Sequence, residues 1–190
     1  FHNRKTIKKD MDIFACKIKE SHLDIDNDKL YSLISNIYSH HAGRSESNKG
    51  GWQSENIISK LTDFVDKIKP IVKEYVDEIK LNIELDVTQV WANVNKYKDY
   101  NAQHFHLQSN FTGVYFVKGK KEAGNLLLHN PFTNFNYCWF NGKLVKIITP
   151  NQYNSQVVKI YPQPGKLIVF PSWLQHSVEP NLTNEERVSI

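Results

Sequence analysis

Near Asp86 the spacing of apolar residues changes, and that change limits the chain to a small set of architectures. Before it, apolar side chains recur at three- and four-residue intervals. Leu30, Leu33, Ile34, Ile37 and Tyr38 follow the N-cap candidates Asp26 and Asp28; Ile57, Ile58, Leu61, Phe64, Val65 and Ile68 follow Ser54; Ile71, Val72, Tyr75, Val76 and Ile79 come last. These spacings predict amphipathic helices, with Pro70 expected to end or kink the second. After Asp86 come short β-type runs, at 87–94, 104–107, 113–117, 125–129, 156–161, 166–170 and 187–190, broken by Gly, Pro and Asn. Strands with no helical pattern between them do not build a βαβ sheet. The second half therefore predicts an antiparallel sandwich or barrel, with the N-terminal helices packed on it.

A chain of 190 residues suits one domain over 1–190, with about 1–80 as the helical part and about 86–190 as the β core. Its formal charge of +4 is spread out, with 14 basic and 13 acidic side chains in 1–80 and 10 and 7 in 81–190. No clustered basic face is expected, and so no nucleic-acid partner. No apolar run approaches the roughly 18 residues of a membrane span, and none follows the basic start of the chain as in a signal peptide. Cys16 and Cys138 stand far apart with no CxxC spacing, which predicts neither a disulfide scaffold nor a thiolate metal site. A reducing, cytosolic compartment is expected.

His104-Phe105-His106 opens a strand-like run, and residues i and i+2 of a strand share a face. Two imidazoles so placed can hold one metal ion. Alone the signal is weak: with eight His in 190 residues, chance supplies roughly a third of such a pair per chain. The segment Gly165-Lys-Leu-Ile-Val-Phe-Pro-Ser-Trp-Leu-Gln-His176 adds weight, since an apolar strand runs into a Pro-Ser turn and delivers a third His just beyond it. Arg187 and Ser189 follow on one face of another strand-like run. Only three of the 24 basic residues are Arg, so lysine serves here wherever a positive charge alone is needed. Arg187 then suggests a use for the planar fork, a bidentate clamp on a small carboxylate with the Ser189 hydroxyl as a further donor.

The order of His104-x-His106, Phe111-Thr-Gly-Val-Tyr-Phe-Val117, Asn125-Leu-Leu-Leu-His-Asn-Pro131, Phe170-Pro-Ser-Trp-Leu-Gln-His176-Ser-Val-Glu-Pro180 and Glu186-Arg187-Val-Ser189 resembles the 2-oxoglutarate and iron(II) dependent oxygenases of bacteria and cyanophages. The resemblance runs from about Val90 onward, with a weaker echo in Gly50-Gly51-Trp52-Gln53-Ser54. It implies a mainly β fold with packed helices, a double-stranded β-helix, or distorted jelly roll, of cupin-like type. It also implies Fe(II) as metal, with 2-oxoglutarate and dioxygen as co-substrates, and substrate hydroxylation with release of succinate and carbon dioxide. His104, His106 and His176 are the implied metal ligands, and Arg187 and Ser189 the implied contacts to the distal carboxylate of 2-oxoglutarate. In the wider superfamily the set is His-x-Asp/Glu…His, so His106 stands in the carboxylate position. The only acids between residues 81 and 178 are Glu84, Asp86, Asp99 and Glu122, and none has the strand spacing to join His104. Three neutral imidazoles are the expected set, one that also suits zinc, copper or nickel.

Tyr115 and Asn93 lie on strands expected near the site and are candidate donors to 2-oxoglutarate, with core packing as the plainer alternative. His129 is expected to be a hydrogen-bonded strand-end residue, His40 and His41 to close a helix, and Trp52, Trp91 and Trp173 to be core or substrate platform. No motif fixes the loops that line the pocket, so the substrate is left as a small molecule or a peptide, and a homodimer stays open. Two other readings compete: a three-His dioxygenase that does not use 2-oxoglutarate, and a non-catalytic jelly-roll binding or virion protein.

Overall fold

The computed structural model describes residues 14–132, 149, 151 and 153–190. Among the described residues eleven strands form two antiparallel sheets. They are β1 (Lys19–His22), β2 (Asn48–Lys49), β3 (Trp52–Gln53), β4 (Asn93–Asn95), β5 (Tyr100–His104), β6 (Phe111–Lys118), β7 (Leu126–His129), β8 (Val157–Ile160), β9 (Lys166–Pro171), β10 (His176–Val178) and β11 (Arg187–Ser189). The larger sheet has the order β1-β9-β6-β11-β4-β3 and the smaller β2-β5-β10-β7-β8. Every strand pairing is antiparallel.

Alternation along the larger sheet separates two apolar layers. Tyr115, Val117, Leu167, Val169 and Val188 point to one side, where Leu30, Ile34, Phe64, Tyr75 and Val76 of the helices cover them. Phe116, Ile168 and Phe170 point to the other side and meet Leu126 and Leu128 of the smaller sheet, together with Leu174. This is a jelly roll with its helices on the outer face of the larger sheet.

The helices are α1 (Asn27–His40) and α2 (Thr62–Glu78). Asp26 caps α1 by accepting from the Lys29 N–H, as its position before the apolar pattern predicts. The two expected helices on either side of Pro70 are one. Pro70 lies inside α2 on its exposed face, where the carbonyl four residues back can turn to water instead of the N–H that proline lacks. The first third also holds a strand that helical periodicity hid, β1, which edges the larger sheet through β9. The expected strand 87–94 shrinks to Asn93–Asn95. Its upstream part is an irregular run, with the Val90 carbonyl held by the Ile57 N–H. No helix among the described residues is long and apolar enough to cross a membrane.

Candidate active site

His104 ends β5 and His176 begins β10, and the two residues face each other directly across the pairing. A register irregularity follows at once, between His176 and Val178, the kind of bulge that re-aims side chains beside functional sites. The ring centroids of His104 and His176 lie 4.2 Å apart. His106 is outside the strand, contrary to the expectation that it shares a strand face with His104. Its place is set by a backbone bond from its N–H to the Ser172 carbonyl, 3.0 Å, so the turn after β9 anchors it. Its ring still comes within 5.1 Å of both other rings, measured between centroids. One nitrogen from each of the three imidazoles lies within 4.8 Å of the others.

Two of the rings are oriented through the backbone. The Nδ1 of His104 bonds the Ala102 carbonyl at 2.7 Å, and the Nδ1 of His176 bonds the Leu174 carbonyl at 3.0 Å. Each Nδ1 must donate to a carbonyl, which leaves the Nε2 lone pair free to act as a ligand. His106 stacks at a tilt near Trp91, and Phe170 meets His176 edge-on. Burial holds His176 down to about 3, reinforced by the neighbouring imidazoles and only partly opposed by the Leu174 carbonyl. Burial lowers His104 and His106 as well. All three are therefore neutral at pH 7, as ligands must be.

Arg187 begins β11 and is 1% exposed. Its Nη1 donates to the carbonyls of Ala123, Gly124 and Glu179, the last at 2.9 Å. Gly124 makes this cradle possible: it has φ +93, and a Cβ there would lie 2.5 Å from Nη1. Nη2 is buried and has no partner. No carboxylate among the described residues pairs with Arg187. Glu185 pairs with Lys120 and Glu186 accepts from the Tyr31 hydroxyl, so the surface ion pair that is the ordinary use of an Arg is absent here. Burial pulls the guanidinium down to about 10, still cationic at neutral pH.

In the β4–β11 pairing Arg187 faces Asn95 and Ser189 faces Asn93, while Val188 and Val94 between them pack toward the helices. Arg187, Ser189, Asn93 and Asn95 thus share the face that looks between the sheets. Asn93 lies where it was expected, and its Oδ1 is buried without a partner. Asn95, two residues along the same strand face, also carries a buried side-chain nitrogen, Nδ2, without a partner. Tyr115 is not brought to the site. It points to the helical layer, donates its hydroxyl to Asn27 Oδ1 at 2.8 Å and packs edge-on against Phe64. The residues of β6 that face inward are its even-numbered neighbours, such as Phe116. His129 pairs with the Ser177 hydroxyl on the opposite face of the smaller sheet from Leu128, as a strand-end residue. Trp52 is core, its Nε1 donating to the His41 carbonyl, whereas Trp173 is 53% exposed. Cys138 lies outside the described residues.

A family model described as "Putative 2OG-Fe(II) oxygenase" matches residues 89–190, more than half of the chain. The chain belongs to the 2OG-Fe(II) oxygenase family. No curated protein matches it. Solved oxygenases share the fold at low identity. The viral collagen prolyl hydroxylase of Paramecium Bursaria Chlorella virus-1, in its 2OG complex, is 14% identical with a TM-score of 0.57, covering 90% of this chain and 92% of that one. The Trichoplax adhaerens prolyl hydroxylase, in complex with a hypoxia inducible factor peptide fragment, is 13% identical with a TM-score of 0.61, covering 92% and 80%. The carbocyclase SnoK of nogalamycin biosynthesis is 13% identical with a TM-score of 0.64, covering 90% and 76%. The oxygenase is thus an enzyme that uses Fe(II), 2-oxoglutarate and dioxygen. Its residues fit these groups: free imidazole lone pairs suit a divalent ion, and an orphaned, buried guanidinium nitrogen suits a carboxylate.

Proposed function

We propose that His104, His106 and His176 hold the iron of this oxygenase, that Arg187 and Ser189 take the distal carboxylate of 2-oxoglutarate, and that the reaction is hydroxylation of a small molecule or a peptide. The reading places the enzyme in the cytoplasm of a bacterium or, for a chain of cyanophage type, of its host. The observation that carries it is the unpartnered Nη2 of Arg187, a buried cation that no carboxylate among the described residues contacts, the Asp99 charge acting on it only from a distance. An unpaired buried charge is costly, and a dianionic co-substrate relieves it.

Bound iron supplies the oxidising chemistry, coupling decarboxylation of 2-oxoglutarate to oxidation of a substrate C–H bond. The chain's own part is to orient and to exclude water. The Ala102 and Leu174 carbonyls fix two imidazoles with their lone pairs free. Phe170, Leu128 and Leu174 wall the interior with apolar surface, which strengthens each polar contact made there. His176 opens β10, while Glu179, whose carbonyl holds Arg187, lies one residue past its end. That separation is about 10 Å along the strand, a span suited to a short dicarboxylate reaching from one group to the other.

Protein loaded with Fe(II) without oxygen and then exposed to air should convert 2-oxoglutarate to succinate, slowly alone and faster with the true substrate. Among the described residues no carboxylate joins the histidine cluster, which favours a second reading, a three-His dioxygenase that binds its substrate at the metal. That enzyme forms no succinate and is indifferent to changes at Arg187.

A further inference from the structure

We propose that Ser172 is a positioning residue for the metal site, acting through His106; the proposal rests on the reading of His106 as an iron ligand given above. The three imidazoles are not held alike. Those of His104 and His176 lie on paired strands, and each is oriented by a carbonyl on its Nδ1. His106 lies two residues past the end of β5, and among the described residues no hydrogen bond orients its ring. The Trp91 ring stands 5.6 Å away, a packing contact that fixes neither nitrogen. Where the His106 ring goes is therefore decided by the backbone that carries it.

That backbone is fastened to a single residue. Ser172 is fully buried. Its carbonyl accepts from the His106 N–H at 3.0 Å, and its own N–H donates to the Asn110 carbonyl at 3.0 Å. Its hydroxyl bonds the hydroxyls of Ser109 and Thr112, at 2.9 Å each. The four bonds reach the start, the middle and the end of the segment that runs from His106 into β6. Thr112 is itself paired with Phe170 of β9, so the hydroxyl ties the exposed loop to a part of the larger sheet that is already fixed. A hydroxyl has one hydrogen and two lone pairs, and can bridge two others in a buried place without bringing in a charge. Alanine at 172 keeps both backbone bonds and loses the bridge, which releases Ser109 and lets the loop shift against the turn. Residues that orient metal ligands in this indirect way commonly matter to affinity nearly as much as the ligands do.

The test titrates Co(II), a divalent probe with visible absorption, into the ligand-free protein. His106→Ala sets the scale, with an expected loss of affinity on the order of tenfold. Ser172→Ala should weaken Co(II) by no more than that, about threefold to tenfold, and move the visible bands toward those of His106→Ala. In the His106→Ala background the same substitution should add nothing, because a residue that acts through a ligand has no effect once the ligand is gone. Ser109→Ala removes one of the two hydroxyl contacts from the exposed side, without touching the core, and should follow the same pattern more weakly. Wild-type affinity in both single variants would overturn the role of Ser172. So would an equal loss with and without His106, which would mean that the turn acts elsewhere, for instance through Leu174 on His176. A His106→Ala protein that binds Co(II) as the wild type does would overturn the reading of His106, and this one with it.

Discussion

The two ends of β10 use the same backbone device to opposite effect. At the histidine end, carbonyls of Ala102 and Leu174 take the Nδ1 hydrogens of His104 and His176 and leave lone pairs facing the site. At the arginine end, carbonyls of Ala123, Gly124 and Glu179 take the hydrogens of Nη1 and leave the buried Nη2 without a partner. One end is left an acceptor of cations and the other a donor to anions. On the proposed reading, a metal and a dicarboxylate would each meet what the backbone has left unused, and neither end would need an ionised acid of the protein.

The comparison breaks most sharply if either end can be lost without its own ligand being lost. His176→Ala should weaken Fe(II) binding by about 100-fold or more, read by metal content after dialysis, because it removes the most buried of the three ligands. Arg187→Lys should leave metal content intact and weaken 2-oxoglutarate by roughly 30-fold to several thousand-fold, the range for losing a buried charge-assisted pair worth about 2–5 kcal/mol. Equal 2-oxoglutarate affinity in Arg187→Lys and wild type would end the comparison.

A smaller effect is expected at His106, which is held by its backbone and not through its ring. His106→Ala should weaken Fe(II) on the order of tenfold, and His106→Asp should retain it by restoring a carboxylate to the set. Unchanged iron affinity in His106→Ala would show two ligands where three are expected.

Acid separates the two ends most gently. In the ligand-free protein His176 resists protonation down to about 3, whereas an unfolded imidazole takes its proton near 6.5. The unfolded chain then binds more protons between those values, so stability falls as pH drops through that window. From pH 7 to pH 5, His176 should contribute a loss of about 2 kcal/mol, seen as a lower urea midpoint and missing from His176→Leu. Arg187 keeps its charge over the same range, so the anion end is untouched.

Much of this was legible in the sequence where residues carry a period or a rigid turn. The block ending in Phe170-Pro-Ser-Trp-Leu-Gln-His176 reads as a strand and a turn delivering a histidine, and Arg187-Val-Ser189 reads as a two-faced strand; both are found. What stayed hidden depended on contacts distant in sequence. β1 pairs with residues nearly 150 positions away. Alternation along β6 is plain, but which face meets the helices is decided by Phe64 and Asn27, which give Tyr115 the core-packing alternative and not the place near the site. His106 was paired with His104 for the wrong reason, since a tether to Ser172 brings it there and a shared strand face does not.

The position of β11 has a kinetic meaning. The larger sheet places it between β4 and β6, yet β5 and β7 to β10 all intervene in the chain before it. As the protein is synthesised, the sheet must therefore wait with an open slot at its centre, flanked by two strands that have no partner there. Non-local closures of this kind fold slowly, commonly in milliseconds to seconds, and leave strand edges bare in the meantime. Arg187, the residue proposed to take the co-substrate, enters on that late strand, so on this reading a partly folded chain can have its histidine strands in place before it can bind 2-oxoglutarate.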